Sequence, residues 1–188
     1  GRHRNHRKDG YFEGEISVDG KSNKSIYAKS QIGYIPEMPA VYDMLTVGEH
    51  LEFILRAYKK DDDGYADELM GLFELEDKKD KLCKELSKGM QQKLSICCAL
   101  IHRPKVVIFD EPMVGLDPHA IKNLKEIILK LKNEGASVLI STHMIDSIED
   151  YWDTAYIMVD GQLKEKILKG QEGASLSEIF FAVTEGDK

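Results

Sequence analysis

Two adjacent carboxylates, Asp110 and Glu111, follow an unbroken apolar run, Val106-Val107-Ile108-Phe109, and precede Pro112. Such a run is typical of a strand buried on both faces. In open parallel sheets the C-terminal strand ends are where ligands bind. There, an Asp can hold Mg²⁺, directly or through water, as in nucleoside triphosphatases. A Glu beside it can orient and deprotonate an attacking water. The bland alternative is a strand that ends in an acidic turn. Upstream, Leu86-Ser87-Lys88-Gly89-Met90 opens a helix. A hydroxyl, a glycine backbone and a helix N-terminus suit an anion, although an ordinary Ser cap reads the same way. Downstream lie Gly115-Leu116-Asp117-Pro118, a tight turn carrying a carboxylate, and Ser141-Thr142-His143 after the next apolar strand. His143 thus falls on the same sheet edge as Asp110 and Glu111. An imidazole there can hydrogen-bond a transferring phosphoryl group near neutral pH, or it can be structural.

The elements that must position these groups are legible in the periodicity. Residues 13–18 alternate and end in Asp19-Gly20, a turn signal. A short strand covers 32–35 and closes at Pro36. Thr46 and Glu49 form a capping box, and Val47, Leu51, Ile54, Leu55 and Tyr58 follow at helical spacing. Asp61-Asp62-Asp63-Gly64 breaks that helix, and a second is expected over 65–73. Met90, Leu94, Cys97, Cys98 and Ile101 form one face of a third helix, ending before Pro104. Ile121, Leu124, Ile127, Ile128 and Leu131 mark another, stopped near Gly135. Val138-Leu139-Ile140 reads again as an apolar strand. A short helix over about 145–151 and a strand over 155–159 lead to the Asp160-Gly161 turn. From 105 onward the alternation of strand and helix calls for a parallel sheet with right-handed crossovers. The stretch 46–103 is all helical and is expected to form a separate lobe.

Composition sets the outer limits. The chain has 188 residues, 42% hydrophobic and 31% charged, which fits a soluble globular domain or one lacking a piece. A net charge of −7 argues against nucleic acid as the main partner. The basic tip (Arg2, Arg4, Arg7 and Lys8) is read as a disordered end. No apolar run reaches the roughly 18 residues that span a bilayer, and no signal peptide is visible. Cys83, Cys97 and Cys98 fit neither a zinc site nor a disulfide scaffold, so they are read as thiols of a reducing cytosol.

The run LSKGMQQKLSICCALIHRPKVVIFDEPMVGLDP resembles the nucleotide-binding domain of ABC transporters, with its signature motif, Walker B strand and D-loop in order. STH is similar to that family's switch histidine, IGYIPEMPAVYDMLTVGEHL to its Q-loop and following helix, and SLSEIFFAVTEG to the tail of short exporter-type subunits. The resemblance covers residues 11–188 and leaves 1–10 unmatched. It implies an α/β fold of the P-loop NTPase type, a parallel sheet flanked by helices with a helical subdomain over about 42–103. It further implies binding of ATP and Mg²⁺, with Asp110 and Glu37 near the metal, Glu111 as general base and His143 at the γ-phosphate. Ser87, Lys88, Gly89 and Met90 would face ATP bound to a second such domain, and Asp117 would couple the two sites. A transmembrane permease would be the other partner, which places the chain in the cytoplasm against the inner face of the membrane.

Three departures from the family pattern stand out. The signature reads Leu-Ser-Lys-Gly-Met where the family has Leu-Ser-Gly-Gly-Gln, so Met90 loses a polar contact and Lys88 either points to solvent or adds a cation. Glu37 stands where the family has Gln. No G-x-x-x-x-G-K-[ST] loop, the cradle for the β- and γ-phosphates, occurs in the sequence. Gly20-Lys21-Ser22 has Glu15 rather than Gly five residues upstream, and its place is a hairpin turn. The expectation is therefore a partial domain lacking its N-terminal strands and Walker A helix. The abrupt start of the match at Tyr11 favours a truncated gene or frame shift over a genuine loop-less protein. Such a chain would expose strand edges and apolar faces and be aggregation-prone. Two other classes stay open. One is a degenerate, regulatory subunit that lends its signature to a competent partner. The other is a soluble ABC protein of ribosome or DNA metabolism.

Overall fold

The computed structural model describes residues 14–170, 173 and 175–185. The basic segment 1–10 lies outside them. The chain is α/β, and its centre is a three-stranded parallel sheet in the order β3 (Ile32–Ile35), β4 (Val106–Asp110), β5 (Ser137–Ser141). Register pairs Phe109 with Ile35 on one side and Asp110 with Ser141 on the other. The C-terminal ends of all three strands therefore open on one edge. Ahead of the sheet, β1 (Ser17–Val18) and β2 (Lys21–Ser22) form a hairpin through Asp19-Gly20. The expected strand over 13–18 is thus only two residues long. The hairpin carries Gly20-Lys21-Ser22, four residues before α1 (Ile26–Ser30) begins. That short helix, capped by Ser25, has no periodicity long enough to be read from sequence.

The helical segment follows the spacing of its apolar residues. In α2 (Val47–Ala57), the Thr46 hydroxyl accepts from the Glu49 amide and the Glu49 carboxylate accepts from the Thr46 amide, closing the capping box. Helix α3 (Tyr65–Leu72) follows Gly64, whose φ of 86° ends the acidic break. Helix α4 (Lys88–Leu100) is buried all round from Gln92 onward, not on one face. The reason is its place between α2 and α3 on one side and β3 on the other. Gly33 in β3 permits this approach, because a Cβ there would lie 2.4 Å from the Ala99 carbonyl oxygen. One continuous core joins Leu51, Leu69, Leu94, Val107, Phe109 and Leu124. The helical segment and the sheet are therefore packed together. Cys83, Cys97 and Cys98 are free and buried within that core, and burial pushes the Cys97 thiol up to about 12.

Helix α5 (Pro118–Asn133) links β4 to β5, with Asp117 as its cap and Pro118 in its first turn. Beyond β5 the structure departs from the sequence expectation twice. The segment 145–151 is a single 3-10 turn, Ile145–Ser147, followed by further i to i+3 bonds. The strand read at 155–159 does not extend the parallel sheet among the described residues. As β6 (Thr154–Val159) it pairs antiparallel with β7 (Gln162–Leu168). Asp160-Gly161, both at positive φ, forms the tight hairpin turn that makes this pairing local and cheap. Helix α6 (Leu176–Glu185) packs on the hairpin around Ile157, Ile167 and Ile179.

The apolar run of β5 is likewise not buried on both faces. It alternates, and Leu139 is 60% exposed, because the sheet face it shares with its register partners Ile108 and Tyr34 is left partly uncovered among the described residues. An apolar face left open beside a strand edge that has no second neighbour among the described residues favours self-association. Leu139→Lys is expected to lower light scattering on concentration or heating, with stability changed by no more than about 0.5 kcal/mol. Equal aggregation of the variant would show that another surface drives it.

Candidate functional site

Asp110 is the last residue of β4, and both of its oxygens have neighbours. Oδ1 accepts from the Ser141 hydroxyl at 2.6 Å, a consequence of the Asp110–Ser141 register, and Oδ2 lies 3.4 Å from the Tyr34 hydroxyl of β3. The Tyr34 phenol titrates above its usual range, through desolvation first and the Asp110 charge second. Glu111 is held more tightly. Its Oε1 accepts from the His143 amide at 2.9 Å and from His143 Nδ1 at 2.8 Å, and its Oε2 accepts from the Thr142 hydroxyl at 3.1 Å. Its own amide donates to the Ser141 carbonyl at 2.9 Å. The Glu111 side chain is mostly buried while His143 projects into solvent. Asp110, Glu111 and His143 are thus brought together, as their strand ends imply. Ser141, Thr142 and Tyr34 complete the group. Sequence reading passed over these three as partners, and only strand register reveals them.

The His143 contact fixes its chemistry. A carboxylate only accepts, so Nδ1 carries a proton and Nε2 is left for an incoming group. For Nε2 to donate to a phosphoryl oxygen at the same time, the ring must hold both protons. A pair so arranged can orient a water, take its proton, and steady developing negative charge.

The remaining candidates lie on the turn after β4 and the start of α4. The Ser87 hydroxyl accepts from the Met90 amide at 3.3 Å as the cap of α4. Ser87 and Lys88 are exposed, whereas Met90 packs against the core. Gly89 fits because a Cβ there would sit 2.8 Å from the Gly115 carbonyl oxygen. Asp117 caps α5 through the Ala120 amide at 2.9 Å and pairs with Lys93 at 2.8 Å. These contacts gather Ser87, Gly89 and Asp117 into one surface. Glu37 is exposed and lies two residues past the end of β3, the strand paired with β4.

A two-carboxylate strand end, a buttressed imidazole and a glycine-tight helix start make up the candidate site. The family model described as ABC transporter matches residues 7–114. The ATP-binding protein EcsA of Bacillus subtilis is 36% identical, across 93% of this chain and 76% of EcsA. A solved structure of the ATP binding subunit of an ABC transporter superposes with a TM-score of 0.84 at 36% identity, covering 92% of this chain and 77% of that one. The cbiO1 protein of Clostridium perfringens, part of the ABC transporter complex cbiONQ, superposes with a TM-score of 0.65 at 27% identity, covering 82% and 65% of the two chains. The chain belongs to the ABC transporter family of ATP-binding proteins.

Proposed function

We propose that this chain is of the class of motor subunits that bind and hydrolyse ATP to drive transport through a separate membrane permease. Because its 188 residues carry no G-x-x-x-x-G-K-[ST] loop, the site here supplies the water- and Mg²⁺-handling groups and not that phosphate cradle. The carrying observation is Glu111, fixed by three donors from 142–143 beside Asp110 at the open edge of a parallel sheet. Glu111 takes the proton of the attacking water, and His143 steers the γ-phosphoryl group through Nε2. Among the described residues no three or more His, Cys, Asp or Glu side chains gather as a metal cage. Mg²⁺ suits such a place, since it commonly takes one or two carboxylates plus water and phosphate oxygens. Asp110 would hold it and Glu37 would stand nearby; when bound, Mg²⁺ neutralises charge on the phosphates. Ser87, Lys88 and Gly89 would cap the nucleotide of a second ATPase domain, and Asp117 would link the two sites.

The permease reading rests on a surface. Met38, Tyr42, Met44 and Phe53 are exposed apolar side chains beside a groove of about 850 Å³ between β3, α2 and α4. An amphipathic helix from a membrane partner would cover them. No helix among the described residues is long and apolar enough to cross a membrane. Attachment to the inner face of the cell membrane would then come through the permease.

Mg-ATP at about 100 times its dissociation constant is expected to stabilise the chain by about 2.7 kcal/mol, read as a thermal shift. Asp110→Asn should abolish the Mg²⁺-dependent part. A second reading, a regulatory subunit, is favoured by the tightly built Ser87–Gly89–Asp117 surface. No thermal shift with the chain alone, together with stimulated hydrolysis in a competent partner, would select it.

A further inference from the structure

Between Gln92 and Leu100 every residue of α4 is buried, and Lys93 is the one that carries a charge. Only 10% of its side chain is exposed. A cation so placed is costly unless paired. Its Nζ lies 2.8 Å from Asp117 Oδ2 and 3.9 Å from Glu74 Oε2, and Glu74 Oε1 in turn lies 3.3 Å from His119 Nδ1. Asp117 Oδ1 is taken by the Ala120 amide. Both oxygens of Asp117 are therefore fixed, one to its own helix and one to α4. One turn of α4 earlier, Gly89 lies against the Gly115 carbonyl so closely that no side chain fits. Two independent contacts thus tie the 115–117 turn to the start of α4.

We infer that Lys93 is a positioning residue that locks Asp117 and the 115–117 turn to the N-terminal end of α4, so that Ser87, Gly89 and Asp117 move as one body. The consequence for catalysis rests on the proposed function, because those residues would act together on the nucleotide of a neighbouring domain. The lock itself does not. The Lys93 hydrogen bond, aided by the Ala120 amide, lowers the Asp117 carboxyl to about 2. A depressed carboxyl keeps its stabilisation above its ordinary value of 3.8 and loses it only as pH falls through about 2. The lock is therefore closed throughout the physiological range.

The test is amide hydrogen exchange on the full chain without nucleotide, comparing Lys93→Met, Lys93→Arg and Asp117→Asn. Lys93→Met should speed exchange over 115–121 by about tenfold while β3 and β4 stay protected, and Lys93→Arg should restore most of the protection. Asp117→Asn keeps the helix cap but loses the charge, so it should reproduce the local effect even if Lys93→Met folds poorly. Unchanged exchange at 115–121 in both Lys93→Met and Asp117→Asn would overturn the lock. So would loss of protection spread evenly over the chain. In the ATPase assembly, Lys93→Met should lower kcat with KM little changed. Local exchange without that kcat effect would uphold the lock and sink the shared action on ATP.

Discussion

Glu111→Gln is expected to slow phosphate release from Mg-ATP by about 10²–10⁴-fold while nucleotide affinity changes little. The substitution is conservative in shape. The amide oxygen can accept from the His143 amide, as Oε1 does now, and the amide nitrogen can donate to the Thr142 oxygen that now donates to Oε2. What is lost is the basic oxygen. The His143 contact shifts as well, because its Nδ1 proton no longer faces a full negative charge. Measuring hydrolysis and nucleotide binding on the same preparation separates the two effects. A variant that hydrolyses within about threefold of the parent would remove Glu111 from the role of base. A variant that neither binds nor hydrolyses would mean that the three hydrogen bonds serve folding first.

The second large effect concerns acid. His102 is 3% exposed, stacks on Tyr58 with ring centroids 3.7 Å apart, and donates from Nε2 to the Ile32 carbonyl at 3.2 Å. Among the described residues its Nδ1 has no hydrogen-bond partner. Burial lowers the ring from 6.5 to about 4, with Lys60 opposing protonation in the same sense and the Ile32 bond working against it. The folded state therefore resists a proton that the unfolded chain accepts. This stabilisation is complete above about pH 6.5 and drains away as pH falls towards 4, by roughly 3 kcal/mol over that range. His50, also buried, is shifted the same way by desolvation. His102→Gln keeps a donor where Nε2 lies and cannot titrate. Urea denaturation of both proteins between pH 7 and 4.5 should show a much shallower loss in the variant, beginning from a lower stability. Parallel slopes would place the acid sensitivity elsewhere.

Local chemistry made much of this molecule legible before any coordinates. The Thr46–Glu49 capping box, the Asp61–Gly64 break and the Asp160-Gly161 turn each act within a few residues, and each appears as read. Where partners lie far apart in sequence, reading fell short. Val138-Leu139-Ile140 reads as an apolar strand, and composition does not show which face of it another element covers. The strand over 155–159 reads as parallel because the tight turn after it was not weighed as a pairing partner. That Asp110, Glu111 and His143 lie together follows from strand-end logic, whereas the contacts of Tyr34, Ser141 and Thr142 depend on register. Lys93 was hidden for another reason, since a lysine within a helix ordinarily reads as solvated surface.

Glu111 sits at a φ of 46°, in the left-handed region that glycine enters freely and other residues enter at a cost of roughly 1 kcal/mol. The chain thus places its working carboxylate on a backbone that would rest more easily without a side chain. Strain of this kind is found where a function demands it. The three hydrogen bonds that its carboxylate accepts from 142–143 offset that cost. Glycine here would relax the backbone and orphan three donors at once, so one side chain both anchors the end of β5 and carries the reactive oxygen.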